Sequence, residues 1–166
     1  MGRPNPVTQG AAALAALISQ NSPIQKLVYD LFFYEFQPSF ATPIDIVSTV
    51  VINAVSPTEI IVAQYTVPHT YEGVIKWIGQ DSHQSGIFDN STWFVRINQA
   101  AAFTWQGVDV MKGSVSNPTP ETMALTGNDI VTISLILSSS SGIVFPLLAA
   151  GRIKGWIWDK SRRTKL

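Results

Sequence analysis

The chain has no cysteine, which excludes disulfides, iron–sulfur clusters and thiolate zinc sites and leaves the redox compartment undetermined. Histidine is scarce too: there are two, His69 and His83, so few groups are available to titrate near neutral pH in acid–base work. Charge is the third shortage. Only 13% of the 166 residues are charged, about half the usual share. The 11 basic and 11 acidic residues cancel, so no global field holds nucleic acid or an anionic membrane, and neither is expected as a partner. Long apolar runs are absent as well. The stretch Ile143–Ala150 is short and contains Pro146, so no membrane-spanning helix is expected. Nucleophile elbows, phosphate loops and dinucleotide fingerprints are missing, and "GSVSN" lacks the lysine a phosphate loop requires. These absences assign no catalytic residue, no cofactor and no metal ligand, and the chain is expected not to be an enzyme.

What is present is apolar. Hydrophobic residues make up 46% of the sequence, enough for one domain with a substantial core plus an arm. So little charge beside so much apolar surface points to faces covered by partners, and hence to self-association. Residues Met1–Thr8 hold two prolines and read as extended, and Gly10–Gln20 is rich in the helix formers alanine and leucine. The stretch Gly10–Ile18 has some look of a signal-peptide core, but only Arg3 precedes it and an Ala-rich helix accounts for it equally, so it is read as mature protein. Ser22, Pro23 and Gln25 form a helix cap, first-turn proline and capping-box partner. Behind them Ile24, Leu27, Val28, Leu31 and Phe32 recur at helical spacing, predicting an amphipathic helix over Pro23–Tyr34. The competing reading is a strand, because Leu31–Phe36 is rich in aromatic residues. Either way the five apolar residues need cover. They are candidate partner-binding residues, or they plug one end of the domain that follows.

Beyond Pro38 and Pro43 the period changes to two. Strands are expected at Ile44–Asn53, Glu59–Val67, Tyr71–Ile78, Thr92–Asn98, Ala102–Gln106 with Val108–Met111, Thr122–Leu125, Ile130–Leu137, Ile143–Leu148 and Arg152–Trp158. Turn signals separate them, including Ser56-Pro57, Gly127-Asn128-Asp129 and a polar loop over Gly79–Ser91. A run of short strands without intervening helices predicts a mainly β, antiparallel jelly-roll-like sandwich of about eight strands. The expected organisation is an arm over 1–42, a sandwich over 43–160 and a basic tail over 161–166. Trp93, Val95 and Ile97 alternate with Phe94, Arg96 and Asn98, and Val131, Ile133, Leu135 and Leu137 with Thr132, Ser134 and Ile136, so each strand has one core face. Near the end, Trp156 and Trp158 share a face opposite Ile157. They are expected to staple the two sheets together or to make a subunit contact. Gly151 and Gly155 mark bulges or close approaches.

Few candidates for chemistry remain. Asp81, His83 and Asp89 fall in "GQDSHQSGIFDNS"; they are weighed as a metal site and as the centre of a small enzyme, against the ordinary content of a polar loop. Tyr71, Trp77, Trp93, Phe103 and Trp105 are weighed as a sugar-stacking platform against a sandwich core. Trp105, beside Gln106-Gly107, is the least periodic of these and is the single best candidate for an exposed partner contact.

Four segments, "VPHTYEGVIKWIGQD", "STWFVRINQ", "MALTGNDIVTISLIL" and "GRIKGWIWD", together resemble the jelly-roll virion proteins of bacteriophages, the decoration, cement, spike-base and vertex components. The likeness covers Thr58–Asp159. Two features depart from it: the turn is Gly127-Asn128-Asp129 in place of a direct Gly-Asp, and the arm over Gly10–Phe36 is not part of the pattern. The resemblance implies a non-enzymatic role in a virion, homotrimeric or ring-like self-packing, and contacts with other virion proteins such as major capsid or portal-proximal proteins. A carbohydrate-binding module or receptor-binding spike component that presents Trp77, Trp105 or Tyr71 is the alternative.

Overall fold

The computed structural model describes residues 34–84, 86–106 and 113–163; for 86, 102–106 and 163 the backbone alone is described. The chain divides into two units, Met1–Pro38 and Ser39–Leu166. The second holds eight strands: β1 (Thr42–Ile52), β2 (Ser56–Thr66), β3 (Tyr71–Ser82), β4 (Ser91–Ile97), β5 (Ala100–Gln106), β6 (Thr119–Leu125), β7 (Ile130–Leu137) and β8 (Leu147–Asp159). Two four-residue helices, α1 (Gly86–Asp89) and α2 (Lys160–Arg163), precede β4 and follow β8. The helix expected over Pro23–Tyr34 and the strand expected over Val108–Met111 fall outside the described residues, apart from Tyr34.

Pairing follows a simple rule. β4 pairs with β5, β3 with β6, β2 with β7 and β1 with β8, all antiparallel, as if one long hairpin had its turn between β4 and β5. Rolling that hairpin brings β8 against β3 and β7 against β4. The result is two four-stranded sheets, sheet A in the order β1-β8-β3-β6 and sheet B in the order β2-β7-β4-β5. This is the eight-stranded jelly roll.

The hairpin turn itself is Asn98-Gln99, with φ of 51° and 71°. Both residues are left-handed, the requirement of a two-residue turn whose twist matches its strands. Asn98 is anchored further, since its main-chain N–H donates to Ile130 O (2.9 Å) and its side chain accepts from Ile130 N–H (2.9 Å).

The core lies between the sheets, and alternation puts it there. From sheet B, Trp93 and Val95 on β4 and Val131, Ile133, Leu135 and Leu137 on β7 are buried. Sheet A answers with Ile75, Ile78, Ile153 and Ile157. The expected alternation of β4 and β7 therefore holds. Several expectations need correction. Of the strand expected over Ile143–Leu148 only Leu147 and Leu148 are strand, and they join Arg152–Trp158 in one strand, β8, which runs from Leu147 through Gly151 and Gly155. The turn signal Ser56-Pro57 lies inside β2. The loop expected over Gly79–Ser91 is shorter, because β3 continues to Ser82. The basic tail begins as the turn of α2.

The largest correction concerns the terminal tryptophans. Ile157 belongs to the inter-sheet core. Trp156 and Trp158 point the other way, onto the outer face of sheet A, so they do not staple the sheets. Both are nevertheless buried, at 3% and 1% exposed. Trp156 packs edge-to-face on Trp77, with centroids 6.1 Å apart, and the Trp158 indole N–H donates to Glu72 Oε1 at 2.8 Å.

Gly155 is explained by this layout. β8 lies between β1 and β3, and a Cβ at Gly155 would sit 2.0 Å from the Val74 carbonyl oxygen and 2.9 Å from Ile75 Cα. Immediately beyond, the β3–β8 register shifts between Ile75 and Trp77. Close approach and bulge, both expected of this glycine, occur together.

Candidate functional site

Of the residues singled out as partner-binding, Ile24, Leu27, Val28, Leu31 and Phe32 lie outside the described residues. Trp105 is placed by its backbone alone, on β5 opposite Trp93. Phe103 is likewise placed by its backbone alone, and the other three aromatic residues weighed as a platform do not share one face. Trp93 is in the core, stacked on Phe88 of α1 at 6.1 Å, and Tyr71 packs against that core. Trp77 is on the outer face of sheet A, beneath the ammonium of Lys154 at 5.3 Å.

The Asp81, His83, Asp89 grouping is also not assembled; among the described residues no three of His, Asp and Glu come together as a metal-binding group. His83 has a structural task instead. Its Nδ1 accepts from Leu148 N–H at 3.1 Å. Next to it, the Gln84 amide pairs with the Val144 backbone in both directions, accepting from Val144 N–H (2.8 Å) and donating to Val144 O (2.6 Å). Asn90 completes the clamp: its side chain donates to Ser141 O (2.8 Å), and its carbonyl accepts from the Ser138 N–H and hydroxyl (2.8 Å each). The polar residues that resembled a site hold the β7–β8 connection to the β3–β4 connection. The other histidine is similar. His69 Nδ1 lies 3.0 Å from the Asn128 amide, and its carbonyl is so near Gly127 that a Cβ there would sit 1.9 Å from the oxygen. That contact accounts for the Gly127-Asn128-Asp129 turn. Asp129 closes it: burial works against its charge, but hydrogen bonds from Thr126 N–H, the Asn98 amide and the Thr126 hydroxyl outweigh burial and hold the carboxyl below its usual range.

Two ion pairs mark the outer faces. On sheet B, Glu59 of β2 reaches across β7 to Arg96 of β4 and also accepts from the Ser134 hydroxyl at 2.8 Å. Arg96 lies 4.6 Å over the Phe94 ring and donates to Gln99 O at 3.1 Å. The hydrogen bond from Arg96 lowers the Glu59 pKa against the opposing effect of burial, with help from Ser134. Around this pair lies an open concavity of about 460 Å³, lined also by Ile61, Gln64, Ile130 and Thr132. On sheet A, Asp45 of β1 binds Arg152 of β8 through two hydrogen bonds of 2.7 Å, and Arg152 donates to Val115 O at 2.8 Å. That fork is the first cause of the lowered Asp45 pKa. Beyond it, toward Ile52, the outer face turns apolar: Val47, Val51 and Leu148 are 55%, 54% and 43% exposed.

Glu59, Arg96, Asp45 and Arg152 are each paired within their own sheet, and no nucleophile–base pair is formed among them. What these faces offer is surface: an open concavity around an ion pair on sheet B, bordered by the exposed Ile61 and Ile130, and an apolar strip beside the edge strand of sheet A. Neither ion pair was legible in the sequence, because Glu59 and Arg96, like Asp45 and Arg152, meet only through strand register. No protein-family model matches the chain, and no curated protein matches it.

Proposed function

We propose that this chain is a non-enzymatic structural protein of a bacteriophage particle, acting in virion assembly or stabilisation through its jelly roll and its N-terminal arm. The observation that carries the reading is the strand order, β1-β8-β3-β6 over β2-β7-β4-β5, the arrangement that the resemblance of four sequence segments to phage jelly-roll virion proteins implied. The fold alone does not fix a role, so the reading rests on the fold and the motifs together. It is supported by the spending of both histidines and four charged groups on internal contacts and by 13% charge in a chain that leaves valines exposed on a sheet face. Self-association and contacts with other virion proteins belong to the same reading. Of the residues named for the carbohydrate-binding alternative, Tyr71 packs against the core and Trp77 is on the outer face of sheet A, while the side chain of Trp105 lies outside the described residues.

The test is co-purification. Particles from a lysate containing this chain are banded on a density gradient and their proteins quantified by mass spectrometry. A fixed copy number per particle, unchanged by a second gradient, is expected. A chain that stays wholly in the soluble fraction while intact particles band without it overturns the reading.

A further inference from the structure

A jelly roll is an open sandwich and has four edge strands, here β1 and β6 in sheet A and β2 and β5 in sheet B. Each is a row of main-chain donors and acceptors that another strand can use unless something blunts it. Two of the four are blunted by proline and charge as well as by irregular pairing, and a third by irregular pairing alone. β2 meets β7 with two register shifts and carries Pro57 and Glu59; β6 meets β3 with one shift and carries Pro120 and Glu121; β5 meets β4 with one shift.

β1 differs from all three in its regular pairing. It pairs with β8 over eleven consecutive positions, Thr42↔Ile157 to Ile52↔Leu147, without a shift. Its proline, Pro43, is at the second position and leaves Ile44–Ile52 uninterrupted. Its one charge, Asp45, is already committed to Arg152. Outward from the sheet it presents Val47, Thr49 and Val51, all exposed, beside the exposed Leu148.

We propose that β1 pairs with β1 of a second copy of this chain, antiparallel about a twofold axis at Thr49, joining two A sheets into one of eight strands. The inference rests on the self-association part of the reading above and supplies its contact. Three observations select a second copy as the occupant. The strand complements itself: with Thr49 opposite Thr49, each Val47 meets a Val51, so every exposed apolar residue of β1 gains an apolar cross-strand neighbour. The same register leaves Asp45 and Pro43 outside the paired valines. And an isologous contact of β1 with itself uses that edge up in both copies, so the pair closes. The contact is twofold, and so is separate from the threefold or ring-like packing implied by the resemblance.

The test uses the full chain. Sedimentation velocity across a concentration series compares it with Thr49→Lys, which sets two ammonium groups against each other at the axis; because Thr49 is exposed, the folded protomer and its circular dichroism are expected to be unchanged. The expected result is at least a tenfold weaker association. The absence of native cysteine permits a second measurement: Thr49→Cys under mild oxidation is expected to give a disulfide-linked dimer, since directly opposed residues of an antiparallel pair lie within disulfide reach, while Thr58→Cys on β2 is expected not to. Association unaffected by Thr49→Lys, with no cross-link at position 49, overturns the edge contact and leaves self-association standing through another surface. A monomer at all concentrations overturns both. Loss of association to a strand of another protein, with no homodimer, also overturns the proposal.

Discussion

Substituting Gly155 by alanine adds one methyl group in the centre of sheet A, where β8 runs between β1 and β3. Two effects oppose each other. Alanine restricts the unfolded chain more than glycine, which favours the folded state by about 0.4–1 kcal/mol where the site can accept it. Here it cannot. The new carbon would lie 2.0 Å from Val74 O, 2.9 Å from Ile75 Cα and 3.0 Å from Val74 C. All three are main-chain atoms, so no rotamer change gives way, and β3 must retreat by about 1 Å to restore an ordinary contact. Overpacking of this kind costs about 1–3 kcal/mol, and with main chain on the receiving side the upper part of that range applies. The expected net loss is about 2 kcal/mol, or about 4–8 °C in Tm for a chain of this size. Gly151→Ala is the internal control. It is on the same strand, but its Cβ would meet side-chain atoms, the nearest Ala63 Cβ at 3.0 Å, and should lose less than half as much. Thermal melts by circular dichroism read both. If Gly155→Ala melts with the parent chain, or above Gly151→Ala, β3 and β8 do not approach as described and the sheet A pairing is wrong.

Trp156→Ala should cost about 3–5 kcal/mol, as loss of a large buried aromatic does, and a urea midpoint close to that of the parent chain would show the indole to be dispensable. Gln99→Gly should stabilise by up to about 1 kcal/mol, because a non-glycine residue at φ 71° is relieved; a lowered melting point would mean that the turn is not left-handed at that position. For Glu59→Gln the expectation concerns pH. The folded-state pKa of Glu59 is lowered, chiefly by the Arg96 hydrogen bond, so its stabilising contribution is complete above the ordinary glutamate range and is lost as pH falls through the folded value. The stability gap between parent and variant, from urea unfolding at neutral pH down to about pH 3, should therefore close in acid; a gap that is constant or widens would contradict the pairing.

The sandwich was legible because most of its strands alternate. Trp93 and Val95 of β4 and Val131, Ile133, Leu135 and Leu137 of β7 recur at every second position and are buried. β8 was read as two strands because Ala149-Ala150-Gly151 looks like an interruption, whereas Gly151 lets the opposite sheet come close. Trp156 and Trp158 were assigned to the right strand and to a common face, but of the two roles offered for them stapling the sheets is excluded, because that face is the outer one. Composition favours tryptophan in a core, and only the register that turns Ile157 inward decides the matter. The Asn98-Gln99 turn went unnoticed because glutamine, unlike glycine, carries no signal for a left-handed position. The polar stretch around His83 left a metal site and a small enzyme centre to be weighed against an ordinary polar loop for a related reason: side chains that cap a distant connection look, in sequence, like side chains gathered for chemistry. Which surfaces face a partner depends on where each strand ends up at an edge. That is a property of the complete topology, and no single segment carries it.

The role as a particle component is tested most directly by a cryo-electron microscopy reconstruction of particles from a lysate containing this chain, at a resolution that separates strands. The account predicts symmetry-related jelly-roll density into which residues 39–163 fit with β1 at one margin of a sheet and β8 between β1 and β3. A complete reconstruction in which every ordered jelly roll is built from other chains, with none left to fit this sequence, would contradict it.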